Sequence, residues 1–359
     1  MRFELDRSLK ILLTIILAAV VGYVGWQVIT RVLYPLELLL MGAIVATAVA
    51  APAQSAAPSP GSTSTNSASA QSPYPVLYST AAAGPEFFSD PTGAPAGANI
   101  WSCKPSAAHP DPVVLVHGLG ATMAENWATY SPLLADNGYC VYSLTYGTNP
   151  NFTSPPLDEF GGLIPMEQSA AVLGTFVNKV LVATGSAKVD LVGHSEGATM
   201  PDYYIKYLGG AAHVDNFVGL APVVHGTDVA DPLMIQEIAN AFGYGSSEAQ
   251  FLGPVCTACE EFAPNSAFTQ KLNAGGVAVP GVRYTQIMTE HDELVVPYTN
   301  GEIAGTNSTN IVVQDQCPLD FADHVSLASD PVAAQDVLNA LDPAQAQPPP
   351  CTLVAPVVG

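Results

Sequence analysis

Residues 189–198 read Val-Asp-Leu-Val-Gly-His-Ser-Glu-Gly-Ala, and this stretch decides the fold. Its first four residues form an apolar, β-branched run that predicts a buried strand, and the residues after it have helical spacing. The turn between them holds a G-x-S-x-G pattern made by Gly193, Ser195 and Gly197. A sharp strand-to-helix turn needs very small residues two positions before and after its central residue, because the backbone passes close to itself there. We therefore expect Ser195 to stand exposed at the end of a strand; the alternative is a serine that only caps a helix.

Further short apolar runs rich in β-branched residues lie on both sides of this turn. They predict strands at residues 113–116, 140–144, 189–192, 217–220, 282–288 and 310–313. Runs of this kind are typical of strands buried on both faces of a parallel sheet. Helical stretches lie between them, at residues 125–134, 167–183, 198–208 and 331–341. The alternation predicts an α/β fold with a mostly parallel central sheet and helices on both faces.

Three regions with different compositions divide the chain. Residues 1–50 hold two apolar runs, 11–30 and 38–50, of which the first is long enough to span a bilayer and the second resembles a signal peptide with a small-residue cleavage site. Residues 51–72 are rich in Ala, Ser and Pro and predict a flexible linker. Residues 73–359 form the predicted catalytic domain, in which residues 223–279 lack a clear rhythm and could hold a lid or cap.

Charge and cysteine content restrict the function and the location. The formal net charge is -21, and four of the ten basic residues lie before position 32, so the body of the chain is strongly acidic. Such a body repels phosphate backbones, which argues against nucleic-acid binding. The six cysteines favour disulfides in an exported protein, and their neighbourhoods favour the pairs Cys103–Cys140, Cys256–Cys259 and Cys317–Cys351. We expect a secreted or cell-envelope location, with membrane association through the N-terminus left open.

A second strand end carries the features of an anion-stabilising loop. Residues 113–120 read Val-Val-Leu-Val-His-Gly-Leu-Gly, an apolar strand that ends in a glycine-rich turn. In folds with a G-x-S-x-G turn, the loop after this strand donates one main-chain N–H to a developing oxyanion, and the residue after the serine donates the other. The candidate donors are the N–H groups of Leu119 and Glu196. The alternative is a plain glycine turn.

Chain order selects the partners of Ser195. In this architecture the serine is followed first by a carboxylate and then by a histidine. Residues 289–294, Thr-Glu-His-Asp-Glu-Leu, follow a predicted strand and offer Glu290, Asp292 and Glu293, and beyond them only His324 remains. Asp292 is preferred, because a short carboxylate just past a strand end can turn back towards the serine. His324 would be the general base, oriented by the carboxylate.

The remaining candidate residues have structural interpretations. His117 and His194 are expected to be packing or supporting groups, His291 a loop residue, and Asp323 a solvated neighbour of His324. Cys256 and Cys259 could bind a metal, but no second Cys pair or spaced His pair completes such a site. No cofactor and no metal are therefore predicted.

The motifs, taken in order, resemble those of a known family. Residues 113–120, 137–147, 189–197, 291–298 and 317–324 together are similar to the secreted bacterial triacylglycerol lipases and esterases of the lipase class 2 family. The resemblance spans roughly residues 74–351. It implies an α/β-hydrolase fold, a triad of Ser195, Asp292 and His324, and oxyanion donors at Leu119 and Glu196, without a cofactor. The double apolar N-terminus departs from the ordinary signal peptide of the family.

These observations predict a serine carboxylester hydrolase, a lipase or an esterase, that acts on esters or acylglycerols and could work at a lipid interface. Two alternatives use other chemistry or none. An acyltransferase or amidase would share the triad and differ in the acceptor. A membrane-tethered binding protein on a hydrolase fold would have lost turnover, although such proteins usually lack a triad residue and this chain has a candidate for each.

Overall fold

A six-stranded parallel sheet forms the centre of the molecule. The structure is a computed structural model that describes residues 74–80, 90–153, 158–229 and 256–357. The strands are β1 (Val113–Val116), β2 (Val141–Leu144), β3 (Val189–His194), β4 (Val214–Leu220), β5 (Arg283–Met288) and β6 (Ser308–Val312). Their order across the sheet is β2-β1-β3-β4-β5-β6, and every neighbouring pair is parallel. The predicted sheet is confirmed, with small shifts at the strand ends.

Helices follow most strands and return the chain to the opposite end of the sheet. In the described residues they are α1 (Met123–Asn126), α2 (Tyr130–Asp136), α3 (Met166–Thr184), α4 (Met200–Tyr207), α5 (Thr257–Glu261), α6 (Ala267–Asn273), α7 (Val313–Gln316) and α8 (Pro331–Leu341). Local chemistry sets their ends. Asp330 caps α8 by accepting the N–H groups of Val332 and Ala333, and Gly185 ends α3 in the left-handed conformation.

Two apolar cores cover the two faces of the sheet. Alternate residues of β1 point to opposite faces, so Val114 and Val116 join one core while Val113 and Leu115 join the other. The first core is completed by α3, α4, α5 and α6, and the second by α2 and α8. The prediction of helices on both faces is therefore confirmed, and both faces of β1 are fully buried.

The predicted helix at residues 125–134 is wrong as a single element. The structure has the short helices α1 and α2 there, separated at Trp127, where φ is -117° and ψ is 17°. Pro132 explains the break, because proline lacks the N–H that a continuous helix needs and fits only in a first turn. The predicted helix at 198–208 also begins later, since a 3₁₀ turn at Ser195–Ala198 precedes α4.

Three disulfides join the pairs that the sequence favoured. Cys103–Cys140 ties the segment before β1 to the start of β2, Cys317–Cys351 ties the loop after α7 to the C-terminal segment, and Cys256–Cys259 closes the first turn of α5. The alternative of a metal site at Cys256 and Cys259 is therefore wrong. All three bonds are consistent with an extracytoplasmic location.

Several predictions fall on other parts of the chain. The apolar runs at 11–30 and 38–50 and the linker at 51–72 lie outside the described residues, as do residues 230–255 of the predicted lid. The part of the predicted lid that is described contains α5 and α6. Within the described ranges, no helix combines the length and apolarity needed to cross a membrane.

Candidate active site

The turn after β3 holds Ser195 in a constrained conformation. Ser195 has φ of 56°, in the left-handed region that non-glycine residues rarely occupy. A Cβ added to Gly193 would overlap the main-chain oxygen of Gly197, and one added to Gly197 would overlap that of Val116. Only glycine fits at both positions, which is the reason for the G-x-S-x-G pattern. Strained backbone of this kind is concentrated at functional sites.

The structure brings Asp292 and His324 together. Asp292 follows β5, and His324 lies on the loop after α7; the His324 Nδ1 is 2.9 Å from Asp292 Oδ2 and 3.0 Å from Oδ1. Both side chains are almost fully buried, with 4% of His324 and 2% of Asp292 exposed. The N–H groups of Leu294 and Val295 also donate to Asp292 Oδ1, at 3.0 and 2.7 Å. Because a carboxylate only accepts, the Nδ1 of His324 carries the proton and Nε2 is left to accept.

The contacts of Glu290, Asp292 and Glu293 distinguish these three candidate carboxylates from one another. Glu290 is exposed and lies 3.9 Å from its neighbour His291. Glu293 accepts the main-chain N–H of His324 at 3.3 Å and so contacts the backbone of this residue instead of its ring. Asp292 is the carboxylate that meets the imidazole, as predicted from its place just past the strand end.

The expectation that Asp323 is solvated is wrong. Its side chain is buried, and its Oδ1 accepts the N–H and the hydroxyl of Ser326 at 2.9 and 2.7 Å. Its Oδ2 accepts the N–H of Val357 at 2.7 Å. Asp323 therefore ties the loop that carries His324 to the C-terminal segment. The sequence could not show this, because Val357 lies 34 positions further along the chain.

The charges around His324 favour its protonated form. Burial by itself lowers the pKa of this imidazole, but the Asp292 carboxylate, with smaller contributions from Glu293 and Asp323, raises the pKa above its ordinary value of 6.5. The group can therefore accept a proton readily. An imidazole that accepts a proton and a carboxylate that stabilises the result are the parts of a general base.

One pocket of the described residues contains Ser195, His324 and Leu119. Its other lining residues are mostly apolar, and they are Val223, Thr227, Phe262, Leu294 and Val295. Leu119 follows the turn after β1, where a Cβ on Gly118 would lie 3.1 Å from the Ser195 Cβ. Glu196 is fully buried directly after Ser195. Leu119 directly follows Gly118, which packs against Ser195, and Glu196 directly precedes Gly197, which packs against the main chain of Val116. The two predicted donors are thus neighbours, in sequence, of the glycines that pack around the serine.

Supporting residues that the sequence did not single out also reach this site. Asn126 of α1 accepts the Gly118 N–H through its Oδ1 at 2.8 Å. Tyr146, after β2, stacks on His117 at 4.4 Å between ring centroids. His117 and His194 are buried supporting groups, as expected. Asn126 reaches Gly118 over eight positions and Tyr146 reaches His117 over 29, and neither spacing is a pattern that marks these two side chains as supporting groups.

Known proteins share this sequence and this fold. The family model for lipase (class 2) matches residues 110–337, which is more than half of the chain and includes Ser195, Asp292 and His324. The chain belongs to the class 2 lipase family.

Two solved structures show what this class 2 lipase is similar to in three dimensions. A crystal structure of Aspergillus fumigatus lipase B matches with a TM-score of 0.53 and 18% identity, over 72% of this chain and 57% of that one. A crystal structure of the mature Bacillus licheniformis lipase BlEst2 matches with a TM-score of 0.47 and 16% identity, over 69% of this chain and 99% of that one. The first match, together with the parallel sheet and its strand order, shows the α/β-hydrolase fold. This chain thus aligns with a little over half of the Aspergillus protein.

Proposed function

We propose that this class 2 lipase hydrolyses carboxylic esters through an acyl-enzyme formed on Ser195. The contact of 2.9 Å between His324 Nδ1 and Asp292 Oδ2 is the observation that carries the proposal. It leaves Nε2 as the nitrogen that can accept a proton, on a buried imidazole that lines the pocket containing Ser195. A buried carboxylate–histidine pair beside a serine in a strained turn is the arrangement that nucleophilic catalysis requires.

The proposed cycle uses the residues already present and no cofactor. His324 Nε2 takes the proton of the Ser195 hydroxyl as Oγ attacks the ester carbonyl, and Asp292 stabilises the imidazolium that forms. The main-chain N–H groups of Leu119 and Glu196 bind the oxyanion of the tetrahedral intermediate. The alcohol leaves with the proton from His324. Water then attacks the acyl carbonyl and gives a proton to His324, which returns it to Ser195 Oγ as the Oγ–acyl bond breaks and the carboxylic acid departs.

The pocket lining supports substrates with an apolar acyl group. Val223, Phe262, Leu294 and Val295 present apolar surface beside the serine and the imidazole, and the described residues that line this pocket include neither lysine nor arginine. Apolar walls bind an acyl chain by removing it from water. Acylglycerols or simpler esters fit this chemistry, and we extend the proposal to substrates at a lipid interface outside the cytoplasm. Residues 1–50 would direct the export of the chain or hold it at the membrane.

Hydrolysis of p-nitrophenyl esters over a series of acyl lengths tests the proposal. The wild-type protein should release p-nitrophenol, and Ser195→Ala should reduce the rate on the order of 10⁴-fold or more while keeping its fold. Added alcohols distinguish an acyltransferase, in which ester products would exceed free acid. A folded wild-type protein as inactive as Ser195→Ala would favour the binding-protein alternative.

A further inference from the structure

The proposed cycle uses the main chain of Glu196 but not its side chain, and that side chain is unusually placed. It is fully buried directly after Ser195, and neither carboxyl oxygen has a well-formed hydrogen bond within the described residues. The polar group that faces it is the hydroxyl of Tyr146. Burying a carboxyl without a cation is costly, so a residue retained here needs a reason.

The hydrogen bond donated by the Tyr146 hydroxyl bears on the protonation state of the Glu196 carboxyl. Tyr146 Oη lies 2.8 Å from the main-chain oxygen of His117, and a carbonyl oxygen only accepts, so the one hydroxyl proton of Tyr146 is donated there. With that proton donated, the hydroxyl can face the Glu196 carboxyl only as an acceptor, so the two groups are compatible when the carboxyl carries a proton. Burial raises the pKa of Glu196 well above its ordinary value and outweighs the lowering effect of the neighbouring Tyr146 hydroxyl, and the Glu261 carboxyl adds to the rise, so the proton stays in place.

The contacts of Tyr146 continue to the loop that carries Leu119. The Tyr146 main-chain N–H donates to His117 Nε2 at 3.2 Å, so in the neutral imidazole the proton is on Nδ1, which donates to Gly118 O at 2.8 Å. Burial lowers the pKa of His117 to about 4, which makes this ring neutral at pH 7. Gly118 O belongs to the same peptide group as the Leu119 N–H. Since the C=O and N–H of a trans peptide point in opposite directions, fixing Gly118 O also fixes the direction of the Leu119 N–H.

Packing at Gly162 brings the same groups close together. A Cβ on Gly162 would lie 2.9 Å from the Leu119 Cα and 3.1 Å from Glu196 Oε2. The Gly120 N–H donates to Gly161 O and the Gly161 N–H to Ala121 O, each at 2.9 Å, which joins this segment to the loop after β1. The Glu196 carboxyl and the residue that carries the proposed oxyanion donor therefore both border Gly162.

We propose that Glu196 is a positioning residue whose side chain works as a neutral carboxylic acid and, through Tyr146 and His117, holds the Leu119 N–H in the direction that an oxyanion requires. The inference rests on the proposed function, because it assigns a role in the same site. It also explains why a carboxyl without a cation is tolerated beside a developing negative charge: the acid is uncharged.

Two substitutions of matched length separate positioning from structural support. Glu196→Gln keeps an uncharged donor for Tyr146 Oη, whereas Glu196→Met fills the same space without one. We expect Glu196→Met to lower kcat for p-nitrophenyl butyrate on the order of 10–100-fold with KM changed by less than about threefold, since losing one oxyanion donor outright costs about 10²–10³. Its Tm should equal or exceed that of the wild type, because a buried polar group has been removed. Glu196→Gln should recover most of the kcat.

Tyr146→Phe provides an independent variant if Glu196→Met does not fold. It should reproduce the loss of kcat, and the double variant Glu196→Met/Tyr146→Phe should lose little more than either single variant, since both interrupt one chain of contacts. The same change at an exposed carboxylate, Glu260→Met, controls for the substitution and should leave kcat and KM as in the wild type.

The outcomes distinguish this inference from the proposed function. If Glu196→Met keeps full kcat, or if Glu196→Gln loses as much as Glu196→Met, the positioning role is wrong even though Ser195→Ala is inactive. A loss of kcat that appears only with a lower Tm also contradicts it, because that is the result of plain structural support. If the folded wild type hydrolyses no ester at all, the proposed function fails first.

Discussion

His194 Nε2 lies 2.9 Å from the main-chain oxygen of His324, so the residue before the proposed nucleophile holds the backbone of the proposed base. A carbonyl oxygen only accepts, so Nε2 carries the proton. Burial, with a contribution from the neighbouring His324, lowers the pKa of His194 to about 3, so the ring is neutral at pH 7. The serine and its base, 129 positions apart in the printed sequence, are thus joined by a direct contact between β3 and the loop after α7.

Removing this contact should impair activity and stability together. His194→Ala leaves the His324 carbonyl without its donor, which costs about 1–3 kcal/mol and should lower the Tm by several degrees. We expect kcat to fall on the order of 10-fold, because the imidazole loses part of its support. Steady-state kinetics and thermal unfolding measure both effects. The same change at His213, which is partly exposed, should be nearly silent; equal effects at the two positions would contradict the role of His194.

The pH dependence of the reaction should show the pKa of His324, which Asp292 raises. Burial acts to lower the pKa of His324, but the Asp292 carboxylate raises it above 6.5, and only the neutral ring can accept the serine proton. The value of kcat/KM should therefore fall as pH decreases, with a midpoint above 6.5. Asp292→Asn should move this midpoint to lower pH and reduce kcat on the order of 10³–10⁴-fold. A pH–rate profile of each variant makes the comparison.

The contact between His324 and Asp292 should also make the stability of the fold depend on pH. A histidine whose pKa is raised by folding contributes stability that is fully present below its unfolded pKa and is lost as pH rises through the folded pKa. Asp292→Asn should therefore lower the Tm more at pH 6 than at pH 9. Glu290→Gln, at the exposed neighbouring carboxylate, is the control for both experiments. An acid limb that Asp292→Asn leaves unmoved would contradict the pairing.

The turn around Ser195 should tolerate no side chain at Gly197. An added Cβ would overlap the main-chain oxygens of Val116 and His117, which lie in the sheet core and cannot move aside. We expect Gly197→Ala to give no cooperatively folded protein by circular dichroism and thermal melting. Gly275 also has a positive φ, of 77°, but open space around it, so Gly275→Ala should cost only about 1–2 kcal/mol of backbone strain. A Gly197→Ala protein as stable as Gly275→Ala would show that the turn is not so constrained.

Local patterns in the sequence were sufficient to predict the strands of the sheet and to select Ser195, Asp292 and His324 as candidate site residues. Buried strands are short apolar runs, the turn at Ser195 needs glycines at fixed positions, and chain order leaves only His324 after the carboxylates. The confirmed disulfides also follow from neighbourhood. The break between α1 and α2 also has a local cause, since Pro132 lies in the first turn of α2.

The remaining features depend on contacts between distant segments. Asp323 meets Val357, Asn126 lies beside His194, and Tyr146 meets His117. Each partner has an ordinary sequence context, and its role exists only after the strands have assembled. For the same reason, the closeness of Glu196 to the peptide of Leu119 could not be predicted from the G-x-S-x-G pattern, which fixes only the backbone of the turn.

Covalent labelling of Ser195 tests the central claim most directly. A p-nitrophenyl alkylphosphonate should form one Ser195 Oγ–phosphorus bond per chain and release one equivalent of p-nitrophenolate. Intact mass spectrometry and peptide mapping should find that adduct on Ser195 in the wild type and none in Ser195→Ala. The account predicts that labelling abolishes ester hydrolysis in proportion to the adduct formed. Unlabelled Ser195 in a folded protein that still hydrolyses esters, or an adduct on another residue that stops the reaction, would contradict it.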